Sequence, residues 1–261
     1  MSAQKRETFD EVAELYDQVR PHYPAQLFDD LVSLSGLPES GRVLEVGAGT
    51  GISTLPLAER GYRVVAVELG DDLAAVARKK LSRFRDVDVV VANFEDWELP
   101  TEPFDVVTSA TAWHWIDPEL RYKKAADALR PGGALAIFGY HHIAGGDRAF
   151  FEQVQDCYLR FMPGTDPEQR LKEPIEYEPS VSELRASGLF EEPEVTTYLT
   201  HETYSRARYL ELLSTYSGHR TLSENVRRDL FECVGSLIDE NFGGRVRKSY
   251  LTELSVSGKR G

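Results

Sequence analysis

Three glycines within five residues, Gly47, Gly49 and Gly51, end the apolar run VLEVGAGTG that starts at Val43. Glycine lets a ligand approach the backbone closely, and amides at the start of a following helix attract polar or anionic groups. The spacing is GxGxG, whereas the dinucleotide fingerprint is GxGxxG and position 52 is isoleucine. No Gly-Lys-Ser/Thr follows, which excludes a P-loop. Two carboxylates flank the turn. Glu45, just before it, is a poor neighbour for a pyrophosphate but tolerates an ammonium or a sulfonium. Glu68 stands about 20 residues on, where an acid can accept both hydroxyls of an unphosphorylated ribose.

A second group of chemically capable residues lies in TAWHWID, after the fourth apolar run. His114 could act as a general base or a hydrogen-bond partner, or be a structural histidine held between Trp113 and Trp115. His141 and His142 follow the fifth run; paired histidines without an acidic neighbour are a poor metal signal, so no metal is expected. Cys157 and Cys233 are the only cysteines and suggest neither a disulfide framework nor a zinc site. Forty-three acids against 30 bases give a formal charge of −13, which argues against nucleic acid as a partner. The basic cluster ARKKLSRFR lies on an expected helix and reads as a solvated face. No run reaches the length of a membrane span and MSAQKRETFDEVAELY has no apolar signal core, so the cytoplasm is the expected location.

The elements that must position these groups are readable from periodicity. TFDEVAELYDQV predicts a helix, with Thr8 and Glu11 as a capping box and Phe9, Val12, Ala13, Tyr16 and Val19 on one face. Pro24 opens a second helix through AQLFDDLVSL, ended by Gly36. RVLEVGAG, RVVAVEL, VDVVVANF, FDVVTSAT and ALAIFGY are apolar and continuous, as strands are when buried on both faces. Between them DDLAAVARKKLSRF predicts a helix capped by Asp71 or Asp72, and PELRYKKAADAL one that starts at Pro118 and stops at RPGG. Strands and helices in alternation predict a doubly wound α/β fold with its ligand site at the carboxyl ends of the strands. After Tyr140 come an amphipathic helix, DRAFFEQVQDCYLRFM, a short helix VSELRASG, a strand EPEVTTYL, two helices and a returning strand, SYLTELSVSG.

VLEVGAGTG, VVAVEL, VVVANFEDWELP, FDVVTSATAWHWID and LRPGGALAIFGY together resemble the motif series of class I S-adenosylmethionine-dependent methyltransferases. More narrowly they are similar to the type 11 small-molecule branch, which includes aconitate methyltransferase-like enzymes. The resemblance covers Arg42 to Tyr140, with FDEVAELYDQVRPHYP also similar and the rest matching loosely. It implies a mostly parallel seven-stranded Rossmann-like sheet with a helical N-terminal cap and a helical insertion before the last strands. The expected organisation is a cap over 1–40, a cofactor-binding core over 41–140, and a lid or acceptor region plus the last strands over 141–261, as one domain overall.

The resemblance also implies roles. Gly47, Ala48 and Gly49 would pass under the methionine portion of S-adenosylmethionine, with Glu45 orienting the loop or reaching the amino group through water. Glu68 would hold the ribose, Leu69 pack on the adenine, Asn93 take its amino group and Phe94 offer a backbone amide. Ala110 would meet the methionine ammonium by its backbone, and Tyr16 and Arg20 would close the methionine end, Arg20 pairing the carboxylate. Tyr16 also fits as core packing on the Phe9 face.

Methyl transfer needs a nucleophile aligned in line with the sulfonium, and a base only where the acceptor must lose a proton. Tyr23, Trp113, Tyr140 and His141 are candidates for the acceptor pocket, and His114 for direct chemistry. The size of the segment after Tyr140 favours a small-molecule acceptor, methylated at oxygen, with S-adenosylhomocysteine as the other product. A monomer or a homodimer is expected. A protein that binds the cofactor without catalysis and a nicotinamide-dependent oxidoreductase are the rival readings; the GxGxG spacing and Glu45 count against the second.

Overall fold

The structure is a computed structural model, and it describes residues 13–261. Thr8, Phe9, Glu11 and Val12, and with them the expected capping box, lie outside the described residues.

Seven strands form one sheet in the order β3-β2-β1-β4-β5-β7-β6: β1 (Arg42–Val46), β2 (Arg63–Glu68), β3 (Val87–Val91), β4 (Phe104–Ala110), β5 (Leu129–Ile143), β6 (Glu194–Ser205) and β7 (Arg245–Gly258). β1 pairs in parallel with both β2 and β4, so the strand order reverses there and a crevice opens at their carboxyl ends. β5 continues the parallel set, and β7 runs antiparallel between β5 and β6.

The strands are apolar on both sides because both faces are covered. Helices α2 (Ala25–Ser35), α3 (Thr54–Glu59) and α4 (Asp71–Leu81) bury Leu27, Phe28, Leu31, Leu57 and Ala77 against Val43, Val64, Val106 and Phe138. On the opposite face α5 (Arg121–Ala128) and α7 (Ser182–Ser187) bring Tyr122, Ala125 and Leu184 onto Leu44, Val46, Val107 and Leu135. A third cluster lies beyond the carboxyl end of the sheet. There α6 (Arg148–Phe161), α8 (Arg206–Ser214) and α10 (Glu224–Phe242) pack Phe150, Val154, Leu212, Val234 and Ile238 on Val246 and Tyr250 of β7. Val19 of α1 (Ala13–Val19) joins this cluster, and Asp17 pairs with Lys80 of α4, so α1 is fastened across the crevice at both sides.

Several expectations need correction. Cys157 of α6 and Cys233 of α10 form a disulfide, contrary to the reading that the two cysteines suggest no disulfide framework. The two helices cross in the third cluster, and a separation of 76 residues carries no trace of that contact. A closed loop of that length removes up to about 4.5 kcal/mol of unfolded-chain entropy. α4 is preceded by Gly70 in extended backbone; Asp71 and Asp72 occupy its first turn and do not cap it. Pro24 likewise stands before α2 as its N-cap. α5 begins at Arg121, because Asp117–Leu120, with Pro118 inside it, form a separate turn. α5 ends at Ala128, just before RPGG, but RPGG itself belongs to the next element: β5 starts at Leu129, and the register jumps between Phe104 and Val106 as this segment loops out of the ladder. A six-residue short helix, α3, follows the glycine turn.

Candidate functional site

The glycine turn is stitched to β2. The amides of Gly47 and Ala48 both donate to the carbonyl of Val67, at 2.9 and 3.2 Å. The two leading glycines answer different demands. A Cβ on Gly47 would stand 2.4 Å from Cβ of Ala112, so this position is glycine because the segment after β4 crosses it. Gly49, at φ 57°, would meet nothing within 4 Å, which leaves clear space on the ligand side of the turn. Glu68 then locks the turn from the side. Its Oε2 accepts from the Gly49 amide at 2.7 Å and its Oε1 from the Gly70 amide at 2.9 Å. One carboxylate thus ties the turns after β1 and β2 together.

Beside them lies a cavity of about 420 Å³ at the carboxyl ends of the parallel strands. Gly47, Gly49, Glu68 and Leu69 form one wall, and Asn93, Phe94 and Ala110 the next. Asn93 Oδ1 accepts from the Glu95 amide at 3.2 Å and its amide group donates to Asp96 at 2.8 Å, which holds the turn after β3 in shape. Ala48 lines a 40 Å³ recess at the side, together with Tyr23 and Ser53.

Glu45 lines neither space. It is fully buried under the turn and accepts from the Ser53 hydroxyl, so it fixes the loop from below. Burial pushes its pKa from 4.5 up to about 7, against the opposing pull of the Ser53 hydrogen bond. The unfolded chain releases this proton near its ordinary pKa while the folded protein keeps it to about 7. Folding stability therefore falls as pH rises through that window, by roughly 3 kcal/mol in all. Glu45→Gln keeps an acceptor for Ser53 and should lack this slope. In urea unfolding it should gain on the wild type from pH 4.5 towards 7 and hold a constant lead above. A difference independent of pH across the window would refute the assignment.

α1 supplies the cover. Arg20 is 8% exposed, donates to the Tyr140 hydroxyl and the Thr215 carbonyl at 2.7 Å each, and stacks at 4.6 Å on both Tyr16 and Tyr216. Its Nε has no partner, and no carboxylate lies within ion-pair distance of it among the described residues. A buried guanidinium in a cavity wall without a counterion is a place for an anionic ligand group. Tyr16 lines the same wall, and burial raises its phenol pKa to about 12 despite the attraction of Arg20.

The far side of the cavity is aromatic, with His114, Trp115, Tyr140, His142 and Tyr216. His114 is exposed at the rim; its protein surroundings and then Arg121 lower its pKa. β5 separates its two histidines by strand parity. Phe138, Tyr140 and His142 share the face of α2, whereas Ile137, Gly139 and His141 look to the other side. There a second space of about 260 Å³ is lined by Trp113, His114, Tyr140 and His141. His141 Nε2 lies 2.9 Å from the Tyr177 hydroxyl, which donates to Glu253. Trp113 is core, 5.5 Å from the Tyr122 ring. Of the acceptor candidates, then, Tyr140 faces the main cavity, Tyr23 the side recess, and Trp113 and His141 the second space.

Sequence reasoning passed over Thr111, Tyr216 and Ser217. Thr111 closes β4 at φ 54°, a left-handed conformation that costs a β-branched residue about 1–3 kcal/mol. Its amide donates to the Phe138 carbonyl at 2.8 Å and its hydroxyl meets the Tyr23 hydroxyl at 2.6 Å, which hold it there between the two spaces. Nothing in the string TSAT signals this. Tyr216 comes from the turn between α8 and α9 (Ser217–Arg220) and Ser217 opens α9, whose approach to the site depends on packing in the third cluster.

Residues 44–137 match the methyltransferase domain family. An uncharacterized methyltransferase of Mycobacterium tuberculosis is 37% identical over 122 residues, 47% of this chain and 47% of that protein. The chain spans about half the length of the curated relatives it matches in this way. Among solved structures, a candidate type II methyltransferase from Anaeromyxobacter dehalogenans superposes with a TM-score of 0.63 at 23% identity, over 92% of this chain and 97% of that one. Phosphoethanolamine N-methyltransferase 2 of Haemonchus contortus, solved with S-adenosylhomocysteine and phosphomonomethylethanolamine, gives 0.54 at 19% identity, over 97% of this chain and 58% of that one. At such identities the structural likeness is one of fold. The glycine turn and the reversal point beside it thus lie in residues 44–137, which are similar to the methyltransferase domain family, and the seven-stranded Rossmann-like sheet around them is the fold of solved methyltransferases.

Proposed function

We propose that the protein transfers a methyl group from S-adenosylmethionine to an oxygen of a small organic acceptor, a carboxylate or a hydroxyl, with S-adenosylhomocysteine as the other product. The observation that supports this most is the single cavity joining Glu68, the glycine turn and Phe94 to the unpaired guanidinium of Arg20. These residues fit the cofactor end to end. Glu68 brings its carboxylate to the cavity wall for the ribose hydroxyls, Leu69 and Phe94 offer apolar surface to the adenine, and Asn93 keeps acceptor capacity for its amino group. The Ala110 backbone meets the methionine ammonium, and Arg20 receives the carboxylate beside Tyr16.

When bound, the cofactor supplies an electrophilic methyl carbon. The chain's part is to orient and to exclude water: α1 and the α8–α9 turn cover the cavity, and Thr111 and Tyr140 shape its floor between the strands. Apart from Glu68, no carboxylate among the described residues lines the cavity, and a second cation there would face Arg20. That favours an anionic or neutral acceptor over an amine. Formation of S-adenosylhomocysteine in the presence of separate panels of small carboxylic acids, phenols and amines tests the reading. Turnover with acids or phenols is expected, and turnover confined to amines would overturn the choice of oxygen.

A further inference from the structure

The main cavity, at about 420 Å³, is near the lower end of the range for sites that hold one small molecule. With the cofactor in it, an acceptor needs room beyond its walls. The second space, of about 260 Å³, adjoins it, because Thr111, His114 and Tyr140 line both. Thr111 reaches this junction by crossing over Gly139 of β5, where a Cβ would stand 3.3 Å from its Oγ1. In the ladder between β5 and β7, Gly139 is the direct partner of Glu253. Such partners have α-carbons about 5 Å apart, which puts Glu253 one strand's width from the junction.

Glu253 is 6% exposed and lines the second space. The Tyr177 hydroxyl and the Ser180 amide, the latter at 3.2 Å, both donate to its Oε2, while Oε1 has no hydrogen-bond partner among the described residues. Both donors are neutral. Arg121, the one arginine among the described residues of this wall, is committed elsewhere: it donates to the Trp113 carbonyl at 2.9 Å and pairs with Glu183. His141 reaches Glu253 only through the Tyr177 hydroxyl. A buried carboxylate in a cavity wall, with one oxygen unused and no counterion, is complementary to a cation. We propose that the second space holds the tail of the acceptor and that Glu253 receives an ammonium group carried on that tail, remote from the methylated oxygen. This rests on the methyl-transfer reading above. Arg20 weighs against a cation in the main cavity, whereas the unpaired charge of the second space is negative. A small amino acid whose amine is distant from its carboxylate suits both spaces and is neutral overall. Its carboxylate oxygen forms the bond to the methyl carbon as the carbon–sulfur bond breaks, with the electron pair left on sulfur and no proton moved. Ile137 and Leu184 line the second space beside the intervening methylenes.

The test uses the full chain saturated with S-adenosylhomocysteine and three probes that share one chain and one carboxylate: 5-aminopentanoate, pentanoate and glutarate. S-adenosylhomocysteine affinity is measured first, on the wild type and on Glu253→Gln, which keeps an oxygen for Tyr177 and Ser180. Equal affinities confine any later difference to the second space; no binding to the wild type would instead sink the methyl-transfer reading itself. By ligand-observed NMR the wild-type complex should bind 5-aminopentanoate at least about tenfold more tightly than pentanoate, with glutarate the weakest. Glu253→Gln should abolish that preference, and Glu253→Asp, which keeps the charge, should keep the order of the three. Magnetisation transfer between S-adenosylhomocysteine and the carboxylate end of bound 5-aminopentanoate is expected. Equal binding of 5-aminopentanoate and pentanoate, a preference that survives in Glu253→Gln, no binding of 5-aminopentanoate, or no transfer between the two ligands would each overturn the proposal.

Discussion

Glu68→Ala should cost at least about 100-fold in affinity for S-adenosylhomocysteine, while His114→Ala leaves that affinity within about threefold. The asymmetry comes from what each side chain touches. Glu68 bonds the Gly49 and Gly70 amides and lines the cavity. On the proposed cofactor placement its removal would delete two charge-assisted hydrogen bonds to the ribose, about 1.5–3 kcal/mol each, and free the turn proposed to lie beneath the methionine. Glu68→Gln is a sharper probe. One oxygen becomes an NH₂ donor, which must face an amide donor at Gly49 or Gly70, so shape is kept while the turn loses an anchor. An affinity between those of wild type and Glu68→Ala is expected. His114 stands exposed at the rim and makes no hydrogen bond to the glycine turn among the described residues, so equal losses in Glu68→Ala and His114→Ala, read by calorimetry, would sink this division of roles.

Arg20→Met should weaken S-adenosylhomocysteine by about 2–4 kcal/mol, roughly 30- to 1000-fold, yet barely move the unfolding midpoint of the ligand-free protein. The guanidinium is a buried charge whose Nε lacks a partner, so the empty protein bears its desolvation without an ion pair in return. Methionine has the length to fill the gap between Tyr16 and Tyr216, and water in the cavity can serve the Tyr140 hydroxyl. The Thr215 carbonyl loses its donor, which sets a modest cost of about 1 kcal/mol. A side chain that only struts the cap would show the reverse pattern: a large fall in the ligand-free midpoint with affinity unchanged. Denaturation with and without ligand on the same samples separates the two.

Much of the cofactor side was legible because its residues are local to the turns that end buried strands. Gly47, Gly49 and Glu68 sit where continuous apolar runs stop, and the alternation of such runs with helices specifies both the sheet and the edge at which they meet. The acceptor side was not legible to the same degree. Whether His141 or His142 enters the main cavity is a matter of one residue's parity in β5, and the RPGG excursion conceals where that strand begins. β6 and β7 run on through THETYS and RVRKS, mostly polar segments that pair with each other, bury Tyr204 and Val246 in the third cluster and carry no continuous apolar signature. Tyr216 and the Cys157–Cys233 bond depend on how α6, α8 and α10 pack, a contact among distant stretches that periodicity cannot report. Glu45 was noticed as an acid beside the turn, but its partner Ser53 shows that it works from beneath the loop.

The central claim is that the cavity beside the glycine turn is built for S-adenosylmethionine, and thermal unfolding with S-adenosylhomocysteine, with NAD as control, tests it most directly. Ligand at about a hundredfold over its dissociation constant adds roughly 2.7 kcal/mol to a protein that binds it only when folded. For a chain of this size the midpoint should rise by roughly 5–10 °C with S-adenosylhomocysteine and stay in place with NAD. No rise with S-adenosylhomocysteine, or a rise only with NAD, would contradict the account.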